Sequence, residues 1–135
     1  MDLKILEIAS NTENNKVLKN YTHQSKNKNP LCGDEMEISL IVKDNKIADI
    51  GYQCKSCVYC QASVSMLSQK IKNEKISELK SLLTLMENLF KETEVKVDSK
   101  WRDFKKIINK DNISRKECLL LPFKTISKAL KFNYD

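Results

Sequence analysis

The residues of this chain best equipped for chemistry are its five cysteines. Three of them, Cys54, Cys57 and Cys60, recur at three-residue intervals, while Cys32 and Cys118 stand far from them in sequence. Thiolates bind soft metals and carry sulfur. Cys32 opens a Cys32-Gly33-Asp34 tripeptide that follows Asn29-Pro30. Gly33 permits a sharp turn with positive φ. In such a turn a thiolate and a carboxylate two residues apart can face one ion, and zinc accepts both donors. The plainer reading of the same tripeptide is a loop with a buried cysteine and a capping aspartate. The triplet also has two readings. Cys54-x2-Cys57-x2-Cys60 begins like a ferredoxin run, but Val64 and Ser65 stand where a fourth cysteine and a proline belong. A zinc ribbon needs a second Cys-x2-Cys pair, and the chain has none. One functional cysteine with two incidental ones fits the triplet equally well.

The elements around these residues bring some of them together. Met36, Ile38, Leu40 and Val42 alternate with polar residues, Ile41 being the exception, and predict a half-buried strand. Asp44-Asn45 is a turn signal, and residues 46–53 predict the antiparallel return strand of a hairpin. Cys32 and Asp34 precede the first strand, and the triplet follows the second. The hairpin therefore carries both to the same end of the sheet. From about Val58 the period becomes helical, with Cys60, Val64, Leu67 and Ile71 on one face. Cys57 falls at the start of that helix, where free N–H groups and the macrodipole favour a thiolate.

Further along, Ser77 is the expected N-cap of a helix buried through Leu79, Leu82, Leu83, Met86, Leu89 and Phe90. Residues 91–100 read as a charged linker. Ser99 is the expected cap of a short helix with Trp101, Phe104 and Ile108 on one face, and residues 109–112 read as a loop. Pro122 suits the first turn of a final helix with Phe123, Ile126, Ala129 and Leu130 inward, which puts Cys118 at its start. At the other end, residues 1–10 predict a short helix with Leu3, Leu6 and Ala9 inward. Residues 21–28 are polar and read as part of a mobile or loosely packed N-terminal arm that ends near residue 28. His23, the one histidine, reads there as solvent-exposed rather than as a ligand.

Bulk composition narrows the class. The 135 residues are 41% hydrophobic with only two glycines and two prolines. That fits one globular domain, residues 1–135, with a modest core. The N-terminal residues are neither signal peptide nor membrane span, and no apolar run of about 18 residues occurs. A cytoplasmic location with no membrane partner is expected, and an odd number of cysteines suits a disulfide framework poorly. The net charge of +6 comes almost wholly from dispersed lysines. With two arginines and no basic-aromatic cluster, a solvated surface is favoured over nucleic-acid binding, and an acidic protein partner is equally compatible.

Taken together, Asn29-Pro30-x-Cys32-Gly33-Asp34, the hairpin, Cys57-x4-Ala62-Ser63-x-Ser65 and Arg115-x2-Cys118 resemble the U-type iron–sulfur cluster assembly scaffolds, the IscU/SufU/NifU N-terminal family. The resemblance covers about residues 25–132. It implies an α+β fold of the SufE/IscU-like kind, a small antiparallel sheet with helices packed on it and the site at one edge. It assigns Cys32, Cys57 and Cys118 as ligands of a transient iron–sulfur cluster or of Zn2+. Asp34 becomes the fourth ligand, the one that keeps a cluster labile, and Cys118 the candidate persulfide acceptor. The implied activity is a scaffold that binds iron or a nascent cluster and passes it to apo-proteins or carriers. The alternative is a zinc-dependent sulfur acceptor, a sulfurtransferase partner of a cysteine desulfurase. A desulfurase is the implied sulfur source in either case, with a monomer or weak homo-oligomer expected.

Three departures from the IscU-type pattern stand out, and the last two lean toward the SufU-like branch. Glu117 stands where many members have a histidine before the last cysteine. The Leu-Pro-Pro-Val-Lys chaperone segment is missing before Cys118, and the interval from Cys57 to Cys118 is long. Cys54 and Cys60 are extra. They read as an auxiliary sulfur-relay or redox pair, or more plainly as incidental buried thiols.

Overall fold

The computed structural model describes residues 3–31, 33–91 and 95–132. Cys32 and part of the charged linker, residues 92–94, lie outside the described residues. The chain runs α1 (Leu3–Ala9), β1 (His23–Lys28), β2 (Glu35–Lys43), β3 (Lys46–Lys55), α2 (Val58–Lys70), α3 (Ile76–Leu79) and α4 (Leu82–Lys91). Two 3₁₀ segments, Ser99–Lys106 and Lys110–Arg115, then lead into α5 (Lys116–Ala129). The strands form one antiparallel sheet in the order β1-β2-β3, and α5 and α2 pack against it and each other. This is the expected α+β fold.

The hairpin forms as its alternation predicts. Asp44 and Asn45 both take positive φ, +55° and +62°, the geometry of a two-residue turn whose twist matches the strands. Met36, Ile38, Leu40, Ile50 and Tyr52 are buried on the inner face. The ladder shifts register between Ile41 and Val42, where Ala48 of β3 is the extra residue. The α2 face of Cys60, Val64, Leu67 and Ile71 is fully buried, as the helical period requires.

The N-terminal segment differs from the sequence expectation. It is not a loose arm. Residues 23–28 form β1, registered on β2 from His23↔Leu40 to Lys28↔Glu35. Ser25 Oγ donates to the Thr125 carbonyl at 2.6 Å and so fastens β1 to α5. Residues 11–18 strap the far edge of the sheet. The Asn14 carbonyl accepts from the Tyr52 N–H at 3.0 Å, Asn14 Nδ2 donates to Ser68 Oγ, and Ser65 Oγ donates to the Asn11 carbonyl. Ser25, one of the polar residues that suggested a loose arm, makes one of these long-range bonds. Helix α1 forms, but on another face. Ile5 is fully buried, with Ile8 and Ala9 beside it, whereas Leu3 is 79% and Leu6 44% exposed.

Other boundaries move as well. Ser77 lies inside α3, whose N-cap is Lys75, because the chain breaks before α4 begins at Leu82. The Leu79–Phe90 stripe is nonetheless buried. Asp98, not Ser99, caps the first 3₁₀ segment by accepting from the Lys100 N–H, and residues 110–112 belong to the second segment rather than to a loop. Helix α5 begins six residues before Pro122, which therefore sits inside it and has no N–H to contribute there. Phe123 is buried edge-on to Phe104, with ring centroids 5.4 Å apart. None of the helices among the described residues is long and apolar enough to cross a membrane.

A Cβ at Gly51 would lie 2.5 Å from the Lys16 carbonyl oxygen of the strap. Gly51→Ala should therefore cost about 2 kcal/mol through overpacking. The check is a lower urea midpoint; an unchanged midpoint would mean that the strap yields freely.

Candidate metal centre

The site is built where the sheet ends and two helices begin. A closed turn delivers Asp34. The Asn29 N–H donates to the Asp34 carbonyl and the Gly33 N–H to the Asn29 carbonyl, both at 2.8 Å, while Asn29 Oδ1 accepts from the Leu31 N–H. Gly33 sits at φ +77°, the left-handed conformation that its missing side chain permits. Asp34 then leads into β2 with only 7% exposure.

Cys57 is the N-cap residue of α2, with extended φ/ψ, and is half-buried. Its N–H donates to Asp34 Oδ1 at 3.3 Å. Cys118 is the third residue of α5 and is buried. Asp34, Cys57 and Cys118 each offer one ligand atom, and these atoms lie within 4.8 Å of one another. Two thiol sulfurs and one carboxylate oxygen from three separate elements thus share one small volume. At the start of α2 the Cys57 N–H is directed at this group, where a helix N-terminus favours negative charge.

The Asp34 environment identifies what the volume suits. Asp34 Oδ2 is buried without a hydrogen-bond partner among the described residues. Taking a carboxylate out of water costs several kcal/mol. A hydrogen bond to a charged group returns about 1.5–3 kcal/mol, and the one that Asp34 accepts is long at 3.3 Å. A cation bound at this carboxylate and the two neighbouring sulfurs would make up the deficit. Soft sulfur and hard oxygen together suit zinc or iron rather than magnesium or calcium.

Of the residues singled out in the sequence, the structure brings Asp34, Cys57 and Cys118 together, and Cys32 lies outside the described residues. Cys54 and Cys60 do not join the donor group. Cys54 lies on the inner face of β3 opposite Met36, and Cys60 is fully buried in the first turn of α2. Burial pushes the Cys54 thiol up from its ordinary value, the Ser56 hydroxyl partly offsets this, and the nearby Asp34 and Cys57 charges add to it. Burial pushes the Cys60 thiol up much further. Protonated thiols are poor ligands and poor nucleophiles, so the incidental reading of this pair is the better one.

His23 is half-buried rather than exposed. It bonds Thr22 Oγ1 through Nδ1 at the end of β1 remote from Asp34. Glu117, beside Cys118, pairs with Lys124 at 3.1 Å. Two features of the site escaped the sequence reading, the Asn29 clamp on Asp34 and the contact of Arg115 with Tyr59, whose ring centroid lies 5.1 Å from the guanidinium carbon. Asn29-Pro30 hinted at the first. Nothing in local spacing joins residues 56 positions apart.

A small antiparallel sheet that ends in a thiol and carboxylate pocket under two helix starts has relatives among known proteins. Residues 2–108 match the model of the NifU-like N terminal domain, and the chain belongs to that family. The iron–sulfur cluster assembly scaffold protein IscU of Thermotoga maritima is 30% identical to it over 132 residues, covering 94% of this chain and 89% of the relative. Two solved structures share the fold. A nitrogen-fixing NifU-like protein (N-terminal) from Brucella abortus has a TM-score of 0.87 at 24% identity and covers 96% of this chain and 91% of its own. FiSufU, a SUF-system protein of Fervidobacterium islandicum AW-1, has a TM-score of 0.87 at 22% identity and covers 96% of each chain.

The raised thiols give a direct check. A raised pKa means that the thiolate forms only at higher pH, so Cys54 alkylation should keep rising beyond the pH at which a free cysteine levels off, and Cys60 should react only after unfolding. Peptide mapping after iodoacetamide treatment reads both. Rapid labelling of Cys60 in the native protein at neutral pH would contradict the assignment.

Proposed function

We propose that this protein is an iron–sulfur cluster assembly scaffold that holds iron or a nascent cluster at Asp34, Cys57 and Cys118, with Cys32 as the remaining donor. The observation that carries the reading is the convergence of three ligand atoms within 4.8 Å around a buried carboxylate oxygen that lacks a partner. Membership of the NifU-like family and the IscU relative support it.

The donor set suits a cargo that must leave. Thiolates hold iron firmly, whereas a carboxylate is a harder and more exchangeable donor. Asp34 thus supplies the position at which an acceptor's thiolate enters. The helix starts stabilise the negative charge of the thiolates and of bound sulfide. The sulfur source in this reading is a cysteine desulfurase, with Cys118 as the thiol that receives sulfur, and the recipients are apo iron–sulfur proteins or carriers. Neither the fold nor the comparisons favour the zinc-dependent sulfur acceptor specifically.

Anaerobic reconstitution with ferrous iron and sulfide tests the reading. The protein should develop visible absorption bands, and Cys32→Ala, Cys57→Ala and Cys118→Ala should each abolish them. Unchanged spectra in all three variants would overturn the site. Asp34→Ala should lengthen the lifetime of the bound cluster in the presence of an apo-protein acceptor, and a shortened lifetime would contradict its exchange role. One tightly held zinc in protein purified without added iron, together with stimulation of a desulfurase, would instead establish the sulfur acceptor.

A further inference from the structure

The two helices that carry Cys57 and Cys118 are joined at two levels. Inside the protein, Ser63 Oγ donates to the Leu119 carbonyl at 2.6 Å. Nearer the site, the Arg115 guanidinium lies over the Tyr59 ring, 5.1 Å from its centroid. Tyr59 and Ser63 are four residues apart along α2, and Arg115 and Leu119 are four apart at the start of α5. The two contacts are therefore successive rungs along one seam between the helices. The lower rung is buried. The upper rung is formed by an exposed arginine and a half-buried tyrosine, so it opens without disturbing the core.

The upper rung also lies beside both thiols in the chain. Cys57 is two residues before Tyr59, and Cys118 is three residues after Arg115. The carboxylate next to Cys118, Glu117, is engaged by Lys124, and Arg115 lies against the ring. A guanidinium stacked on an aromatic face is held both electrostatically and by its planar surface. It fixes the lateral separation of two helix starts without adding a ligand.

We propose that Arg115 and Tyr59 form a latch between the two ligand-bearing helices, which sets the spacing of Cys57 and Cys118 and thereby the rate at which a bound cation leaves. The proposal rests on the metal-site reading above. Arg115 and Tyr59 act here as positioning residues, since neither supplies a donor atom. An open latch loosens the sulfur pair, and a closed one retains the ion.

Co2+ alone serves as the probe, because sulfur-to-cobalt charge-transfer absorption reports thiolate coordination and its transfer to a chelator gives the release rate. Arg115→Ala and Tyr59→Ala should each speed release about threefold, the fold-change expected from losing one exposed cation–π contact. Tyr59→Phe keeps the aromatic face and should release at the parent rate. The double variant Arg115→Ala/Tyr59→Ala should be no faster than either single variant, because both remove the same contact. Parent-like release in Arg115→Ala, or effects that multiply in the double variant, would overturn the latch while leaving the metal site standing. A parent protein that binds no Co2+ through thiolate would overturn the metal site and the latch with it.

Discussion

The hydrogen bond from the Cys57 backbone N–H to Asp34 Oδ1 joins the end of the sheet to the start of a helix, and the geometry of the site depends on it. On one side it needs the strand register. Glu35 faces Lys55 and Met36 faces Cys54, which leaves Asp34 level with the start of α2. A slip of one residue would also turn Met36, Ile38 and Leu40 away from the core, so the burial of three apolar side chains guards the position of one carboxylate. On the other side it needs α2 to begin at residue 58, because the first few N–H groups of a helix, that of its N-cap residue included, lie outside the helical ladder. Helix α5 then brings Cys118 by packing along α2.

The polar groups at this junction are incompletely satisfied among the described residues. A buried carboxylate with one unpartnered oxygen lies beside two sulfurs. The unmet group is confined to a single small volume beside a well-packed core. Cys54 and Cys60 lie just behind it and add no charge while their thiols stay protonated. A divalent cation bound there would satisfy that oxygen, and its binding energy would then be linked to structural order.

Much of the architecture was legible in the chain. The hairpin, its turn, and helix α2 follow from local periodicity, and local periodicity is what a sequence displays directly. The co-location of Asp34 and Cys57 followed from the hairpin alone. Other features were hidden because their partners are remote. Asn11 and Asn14 look like loop residues until Ser65, Ser68 and Tyr52 are placed beside them. The face of α1 was misjudged because Leu3, Ile5, Leu6 and Ile8 offer two apolar stripes, and packing against α2 chose the one through Ile5. Helix caps failed for a related reason. Ser77 and Ser99 have the right side chains, but the chain path gave the cap positions to Lys75 and Asp98. The crowding of three cysteines was the loudest signal and only one of them entered the site, since the strand and helix faces assign Cys54 and Cys60 elsewhere.

The strap along β3 bears on how this protein behaves in a crowded solution. A three-stranded sheet has two edges, and each edge offers a row of backbone groups to another chain. At β3, the Asn14 carbonyl occupies the Tyr52 N–H. At β1, the ammonium of Lys128 occupies the Lys26 carbonyl at 2.8 Å. A second copy adding antiparallel to β1 would have to displace that ammonium and would bring the exposed Lys26 and Lys28 against the same lysines of its neighbour. Like charges and occupied acceptors on the edge make strand addition unfavourable. The same dispersed lysines that gave no sign of a nucleic-acid surface thus work against strand addition at this edge.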